Sequence, residues 1–255
     1  MKFQQFLIEG TSDGKYKTPI TEDEAIELIK TKCTKVNVLE PFWRGMRKQT
    51  GSYFKFQGDS GNRLSATLKE SGNYYNTILD HYIQDENKNY PLRSKSIICA
   101  NNANFNHTEH FGNQKFAIFP YDTTIIGYLP KFDIWHCKLQ FGNKTIEFLD
   151  FNELLSNAGN INSLDYNELI NGIKKVISKT FIPSNGLANK ATATLRSYFE
   201  NEDQVESILK KAFNDIDYFF GDASKDDHTE REVWIGGPCI GIEFTKYFNM
   251  KGKLK

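Results

Sequence analysis

Three short stretches of the 255-residue sequence set chemically capable side chains at the ends of apolar runs. In "HTEREVWIGG" (228–237), Glu230 and Glu232 stand two apart. In a strand they and Trp234 share one face, while Arg231, Val233 and Ile235 share the other. With Val233 and Ile235 toward a core, both carboxylates point into whatever cleft lies opposite. Such a pair suits two tasks: stabilising a developing cation, and orienting or deprotonating a cationic nucleophile. In "FWRGM" (42–46), Arg44 ends an apolar strand. Its planar fork matches a phosphate and stays charged at any working pH. Gly45 beside it lets a ligand approach the backbone closely. In "RSKSIICA" (93–100), Ser94 and Ser96 place two hydroxyls on one face where a further strand starts. An arginine, a serine pair and a glutamate pair thus stand at three strand ends from which they can converge.

Composition limits the rest. Lysine plus arginine and aspartate plus glutamate number 32 each, so no global field attracts nucleic acid or an acidic membrane. Residues 30–48 and 246–255 are locally basic and read as solvated surface. A hydrophobic content of 39% supports one large domain or two small ones. The cysteines Cys33, Cys99, Cys137 and Cys239 form no CxxC, which speaks against a zinc ribbon or a thioredoxin motif. Cys99 and Cys239 lie inside apolar runs and read as buried hydrophobes. His107 and His110 make a lone HxxH in an asparagine-rich loop, weak evidence for metal, and none is expected. The apolar stretch at the N-terminus is too short for a signal peptide, and no run is long enough to span a membrane. The expectation is a soluble cytoplasmic protein; a toxin-like effector delivered by other machinery reads the same way.

The elements that must position these residues follow from periodicity. Residues 3–9, 37–46, 52–56 and 93–100 read as strands, as do "KFAIFPY", "TIIGYLP", "EVWIGG" and "IGIEFT". Thr21 and Glu24 form a capping box for a helix with Ala25, Ile26, Leu28 and Ile29 as its stripe. Residues 73–84 have helical spacing. "IWHCKLQF" and "KTIEFLDF" read as a hairpin turning at Gly142-Asn143. From about 152 to 220 three helical patterns follow one another, with Asn201 as a cap for the last.

Arg-Gly on one strand, Ser-x-Ser on a second and Glu-x-Glu on a third, in that order, resemble the mono-ADP-ribosyltransferases of the Arg-Ser-Glu class. "TEREVWI" looks like that family's Glu-x-Glu strand, and "GDASKDDHT" (221–229) sits where the family keeps its recognition turn. The resemblance implies a single α+β domain over 1–255: a split β-sandwich of two small, mostly antiparallel sheets around an NAD cleft, with a helical insertion at about 152–220. It implies NAD as substrate and a macromolecular acceptor, a protein arginine first and a nucleic acid as alternative. Water in place of the acceptor would make the enzyme an NAD glycohydrolase. Arg44 would hold the diphosphate or its ribose, and Gly45 the carboxamide. Ser94 would position the catalytic glutamate, with Ser96 beside it. Glu232 would stabilise the oxocarbenium-like transition state, and Glu230 would orient or deprotonate the acceptor. Lys95 departs from the family's threonine, and the gap from Ser96 to Glu230 is long. Phe116, Phe119, Phe219 and Phe220 are the candidates for an aromatic that stacks on nicotinamide.

Overall fold

The computed structural model describes residues 17–46, 49–57, 74–86, 90–102, 114–129, 134–159, 161, 165–199, 201–214, 219–221 and 231–254. The expected strand at 3–9, the His107/His110 pair, most of the 221–229 loop and Glu230 lie outside them. Two compact units are present: Met1–Arg63 with Asn89–Phe132 and Tyr218–Lys255, and Leu64–Lys88 with Asp133–Asp217. The second is broader than the 152–220 insertion read from the sequence, because it takes in a helix and a hairpin from earlier in the chain.

In chain order the elements are β1 (Lys17–Pro19), α1 (Glu22–Lys32), β2 (Phe42–Met46), β3 (Tyr53–Phe56), α2 (Tyr74–Glu86), β4 (Ile97–Ala100), β5 (Gln114–Pro120) and β6 (Ile126–Tyr128). There follow β7 (Lys138–Phe141), β8 (Lys144–Glu147), α3 (Phe148–Ala158), α4 (Tyr166–Ile177), α5 (Gly186–Tyr198) and α6 (Val205–Asn214). The chain closes with β9 (Phe219–Gly221), β10 (Glu232–Ile235), β11 (Cys239–Glu243) and α7 (Phe244–Leu254). The protein is α+β, and its described strand pairs are antiparallel.

In the first unit one hydrogen-bonded series runs β1-β3-β11-β5-β2-β4-β10-β6-β9. Two separate small sheets were expected. The series is continuous, yet it narrows at one place. β2 pairs β5 from Phe42↔Ile118 to Met46↔Gln114, and β10 pairs β4 from Glu232↔Ala100 to Ile235↔Ile97. β2 and β4 share only Trp43↔Ala100. A seam of one residue pair therefore divides five strands from four.

Local chemistry explains the borders. Thr21 Oγ1 accepts from the Glu24 backbone N–H at 3.2 Å, and acidic residues in the first turn and Lys30 and Lys32 in the last complement the dipole of α1. The helix buries Ala25 and Ile29. β2 starts at Phe42, later than the 37–46 reading, because Asn37 makes a turn: its Oδ1 accepts from Leu39 N–H at 3.0 Å and its carbonyl from Glu40 N–H at 2.9 Å. Residues 93–95 are a 3₁₀ turn rather than strand, closed by Lys95 N–H to Leu92 O at 3.1 Å. α7 went unread in the basic tail, although Tyr247, Met250 and Leu254 keep helical spacing and are buried. It lays Phe244, Tyr247 and Phe248 around the Trp43 indole, with centroids 5.5, 5.5 and 6.4 Å away.

The second unit pairs β7 with β8 through Gly142-Asn143, where Gly142 takes φ +61°. Residues 134–136 form a 3₁₀ turn instead of the strand start read there. β8 also stops earlier than "KTIEFLDF" suggested. At Phe148 the period changes from two to 3.6, and Phe148, Phe151, Leu155 and Ala158 turn one face of α3 inward. Asp165 and Asn185 cap α4 and α5 through 2.9 Å bonds from Glu168 and Ala188 N–H. Asn201 Oδ1 accepts from Gln204 N–H at 3.1 Å, opening the turn that leads into α6.

Candidate active site

Glu232 is the first residue of β10 and is 4% exposed. Its carboxylate accepts from three directions. Arg93 Nε donates to Oε1 at 2.7 Å and Arg93 Nη2 to Oε2 at 3.3 Å. The Trp234 indole Nε1 donates to Oε1 at 2.7 Å. That last bond follows from strand geometry: positions i and i+2 project from the same face, as the sequence pattern requires. Val233 and Ile235 point the other way, into the core. Trp234 is itself fully buried, with the Tyr90 ring edge-on at 6.1 Å. The entry to β10 is held by its backbone: Arg231 N–H donates to Asn101 Oδ1 at 2.9 Å and Leu129 N–H to Glu232 O at 3.1 Å.

Three of the sequence-marked stretches lie on consecutive strands, β2 beside β4 and β4 beside β10. The register nevertheless separates individual residues. On β4 the residue opposite Glu232 is Ala100, followed by Asn101. Ser96 lies four residues back, about 13 Å along a strand at ~3.3 Å per residue, and Ser94 sits in the turn before it. Ser94 and Ser96 are both buried, and Ser96 Oγ donates to Leu92 O at 2.7 Å. Ser96 therefore stands at the far end of β4 from Ala100, the residue opposite Glu232. Arg93, in the turn before the strand, nevertheless meets Glu232, so that turn sets Ser94 next in the chain to the carboxylate's own partner.

Arg44 is 5% exposed, and its Nη1 donates to Ile98 O at 2.6 Å across the seam. Directly paired residues point to one face. Glu232, Ala100 and Trp43 form such a row, so Arg44, one residue on from Trp43, projects to the opposite face. The Cys239 thiol agrees with this placement. Burial pushes it well up, the neighbouring Cys99 and Cys33 add to that, and Arg44 pulls it down. Gly45 pairs with Lys115 on β5. Among the stacking candidates Phe116 and Phe119 are fully buried core residues. All four cysteines are buried, and none is bridged in a disulfide. Among the described residues no group of histidine, cysteine, aspartate and glutamate is arranged to hold a metal ion, and no helix is long and apolar enough to cross a membrane.

Sequence reasoning missed Arg93 and Trp234 as partners of Glu232. The signal for Trp234 was present in the i, i+2 spacing. None was available for Arg93, which meets Glu232 from 139 residues away. Chemically, the site is a directionally fixed carboxylate with the Arg93 guanidinium against it. Compared with protein-family models, with curated proteins and with solved structures, the chain matches none of them.

Proposed function

We propose that the chain is an NAD-dependent mono-ADP-ribosyltransferase with Glu232 as its catalytic carboxylate. The observation that carries this reading is the placement of Glu232: buried at the first position of β10, aimed by Arg93 and Trp234, on the strand next to β4, which adjoins the Arg44 strand at the seam. The one-pair seam also suits the split sandwich that the resemblance implies.

In the reaction the bond from ribose C1′ to the nicotinamide nitrogen breaks, and its electron pair leaves with nicotinamide. Positive charge passes to the sugar. A carboxylate fixed at hydrogen-bonding distance gains strength as that charge develops, as carboxylates do in glycosidases. The acceptor, an arginine guanidinium of a protein in this reading, then bonds to C1′ and releases a proton. Glu230 would orient that acceptor and take the proton; it lies outside the described residues. Arg44 ties the seam through Ile98 O, and Gly45 pairs with Lys115 on β5. Ser94, next in the chain to the Arg93 that grips Glu232, would help to position that carboxylate, with Ser96 beside it.

Labelled NAD incubated with the protein and a cell lysate, beside Glu232→Ala, tests this. Label on protease-sensitive material that disappears in the variant supports transfer to protein, and nuclease-sensitive label moves the acceptor to nucleic acid. Free ADP-ribose with no labelled macromolecule makes the enzyme a glycohydrolase. An absence of NAD turnover by the wild type overturns the reading.

A further inference from the structure

The candidate carboxylate and the guanidinium beside it pose a conflict. Arg93 and Glu232 are each about 5% exposed and joined at 2.7 and 3.3 Å. A full positive charge so close offsets most of the field that the carboxylate offers a developing sugar cation. While this pair is closed, Glu232 is well oriented but electrostatically muted. A group that loosens Arg93 from Glu232 would therefore raise its catalytic strength.

We infer that Arg93 is the diphosphate-binding and specificity-determining residue of this site, held on Glu232 at rest and drawn off it by the substrate's diphosphate. This rests on the NAD-consuming reading above. Three observations carry it. Arg93 meets Glu232 directly from the turn before β4, whereas the register turns Arg44 to the other face and its Nη1 is engaged by Ile98 O. Arg93 is carried by a single 3₁₀ turn, Arg93–Lys95, next to Pro91 and Leu92, not by the rigid ladder that holds Glu232. Its partner is a carboxylate taken in the two-point manner that a guanidinium also uses for phosphate, so exchanging one anion for the other keeps its hydrogen bonds satisfied. Diphosphate binding and the unmasking of Glu232 then become one event. Trp234 N–H remains on Oε1 and keeps the carboxylate aimed. A nicotinamide riboside, which lacks phosphate, leaves the pair closed and is a poor substrate.

The test divides the substrate into pieces. Nicotinamide release is measured with NAD, with nicotinamide riboside, and with the riboside plus ADP, water serving as acceptor in each. Wild-type protein is expected to turn over NAD, to be at least about tenfold slower on the riboside, and to be stimulated on it by ADP. In Arg93→Lys, which keeps the charge and loses the fork, the preference for NAD narrows and ADP no longer stimulates. A structural role alone would slow both substrates equally. If NAD is consumed and ADP leaves riboside cleavage unchanged or only inhibits it, the inference falls while the transferase reading stands. If NAD is not consumed, that reading falls, and calorimetry with ADP-ribose decides the inference. Binding weakened about tenfold or more by Arg93→Lys supports the diphosphate contact; no binding, or equal binding by both proteins, overturns it.

Discussion

Arg93 and Glu232, 139 residues apart in sequence, meet at 2.7 Å with almost no water contact. Removing one member of such a pair leaves the other charge buried. We expect Arg93→Met to destabilise the protein by about 3–5 kcal/mol, with Arg93→Met/Glu232→Met recovering a large part of that loss. Urea unfolding of the two single variants and the double variant measures the coupling. Additive effects would show that the pair contributes no interaction of its own.

A second prediction concerns the wall behind this pair. An alanine side chain at Gly236 would run into Pro91 Cβ, and Pro91 Cα lies 3.2 Å from the same position. A proline ring and its backbone yield little, and Leu92 and Arg93 follow directly. Gly236→Ala is expected to cost about 1–3 kcal/mol, as overpacking does, and to slow NAD turnover as well. Thermal melts and nicotinamide release report the two effects separately. An unchanged melting temperature would mean that the turn before β4 adjusts freely.

The tie between α1 and α7 should titrate. Glu22 accepts from Lys253 Nζ at 2.7 Å and from Tyr53 Oη at 2.8 Å. The Lys253 bond first and the Tyr53 bond second hold the Glu22 carboxyl below its ordinary range, and the same contact raises Lys253. Because Glu22 is harder to protonate in the folded chain, its contribution is present above the unfolded value, about 4.3, and fades as pH falls through the lower folded value. Lys253 contributes below the ordinary lysine value, about 10.4, and loses its share as pH rises past the raised one. The difference in melting temperature between wild type and Glu22→Gln should therefore be widest near neutrality and shrink toward pH 3, about one unit below the free carboxyl. Burial first, and then the bond to Glu22, push Tyr53 up to about 12. The same variant should let one tyrosine ionise earlier in an alkaline absorbance titration.

The thiols give a test of folding that needs no substitution. Cys33, Cys99, Cys137 and Cys239 are all buried and unbridged. Burial raises the Cys33 and Cys239 thiols, so thiolate is scarce as well as inaccessible. Ellman's reagent should find almost no reactive thiol in native protein and four in denaturant. A fast-reacting thiol in the native state would place at least one of them outside a packed core.

Several features were legible in the linear chain because they are local. The Thr21 cap, the Gly142-Asn143 turn and the cap at Asn201 each depend on residues within a few positions. So does the shared face of Glu232 and Trp234, since strand alternation spans two residues. Periodicity likewise marked α4, α5 and α6, whose apolar stripes are complete within a dozen residues. It missed α3 and α7, where the helical stripe begins directly after a strand and the two periods overlap at the junction.

Tertiary structure alone decided which of the marked residues meet. No local rule states that β4 pairs with β10 so that Ala100, and not Ser96, stands opposite Glu232. Register between strands more than a hundred residues apart comes from side-chain packing on both faces of the sheet, and every residue of slip moves a functional group about 3.3 Å along the strand. The pairing of these strands sets Ser96 at the far end of β4 from Ala100 and turns Arg44 to the other face, and the turn before β4 brings in Arg93, a residue whose sequence neighbours carry no sign of its partner.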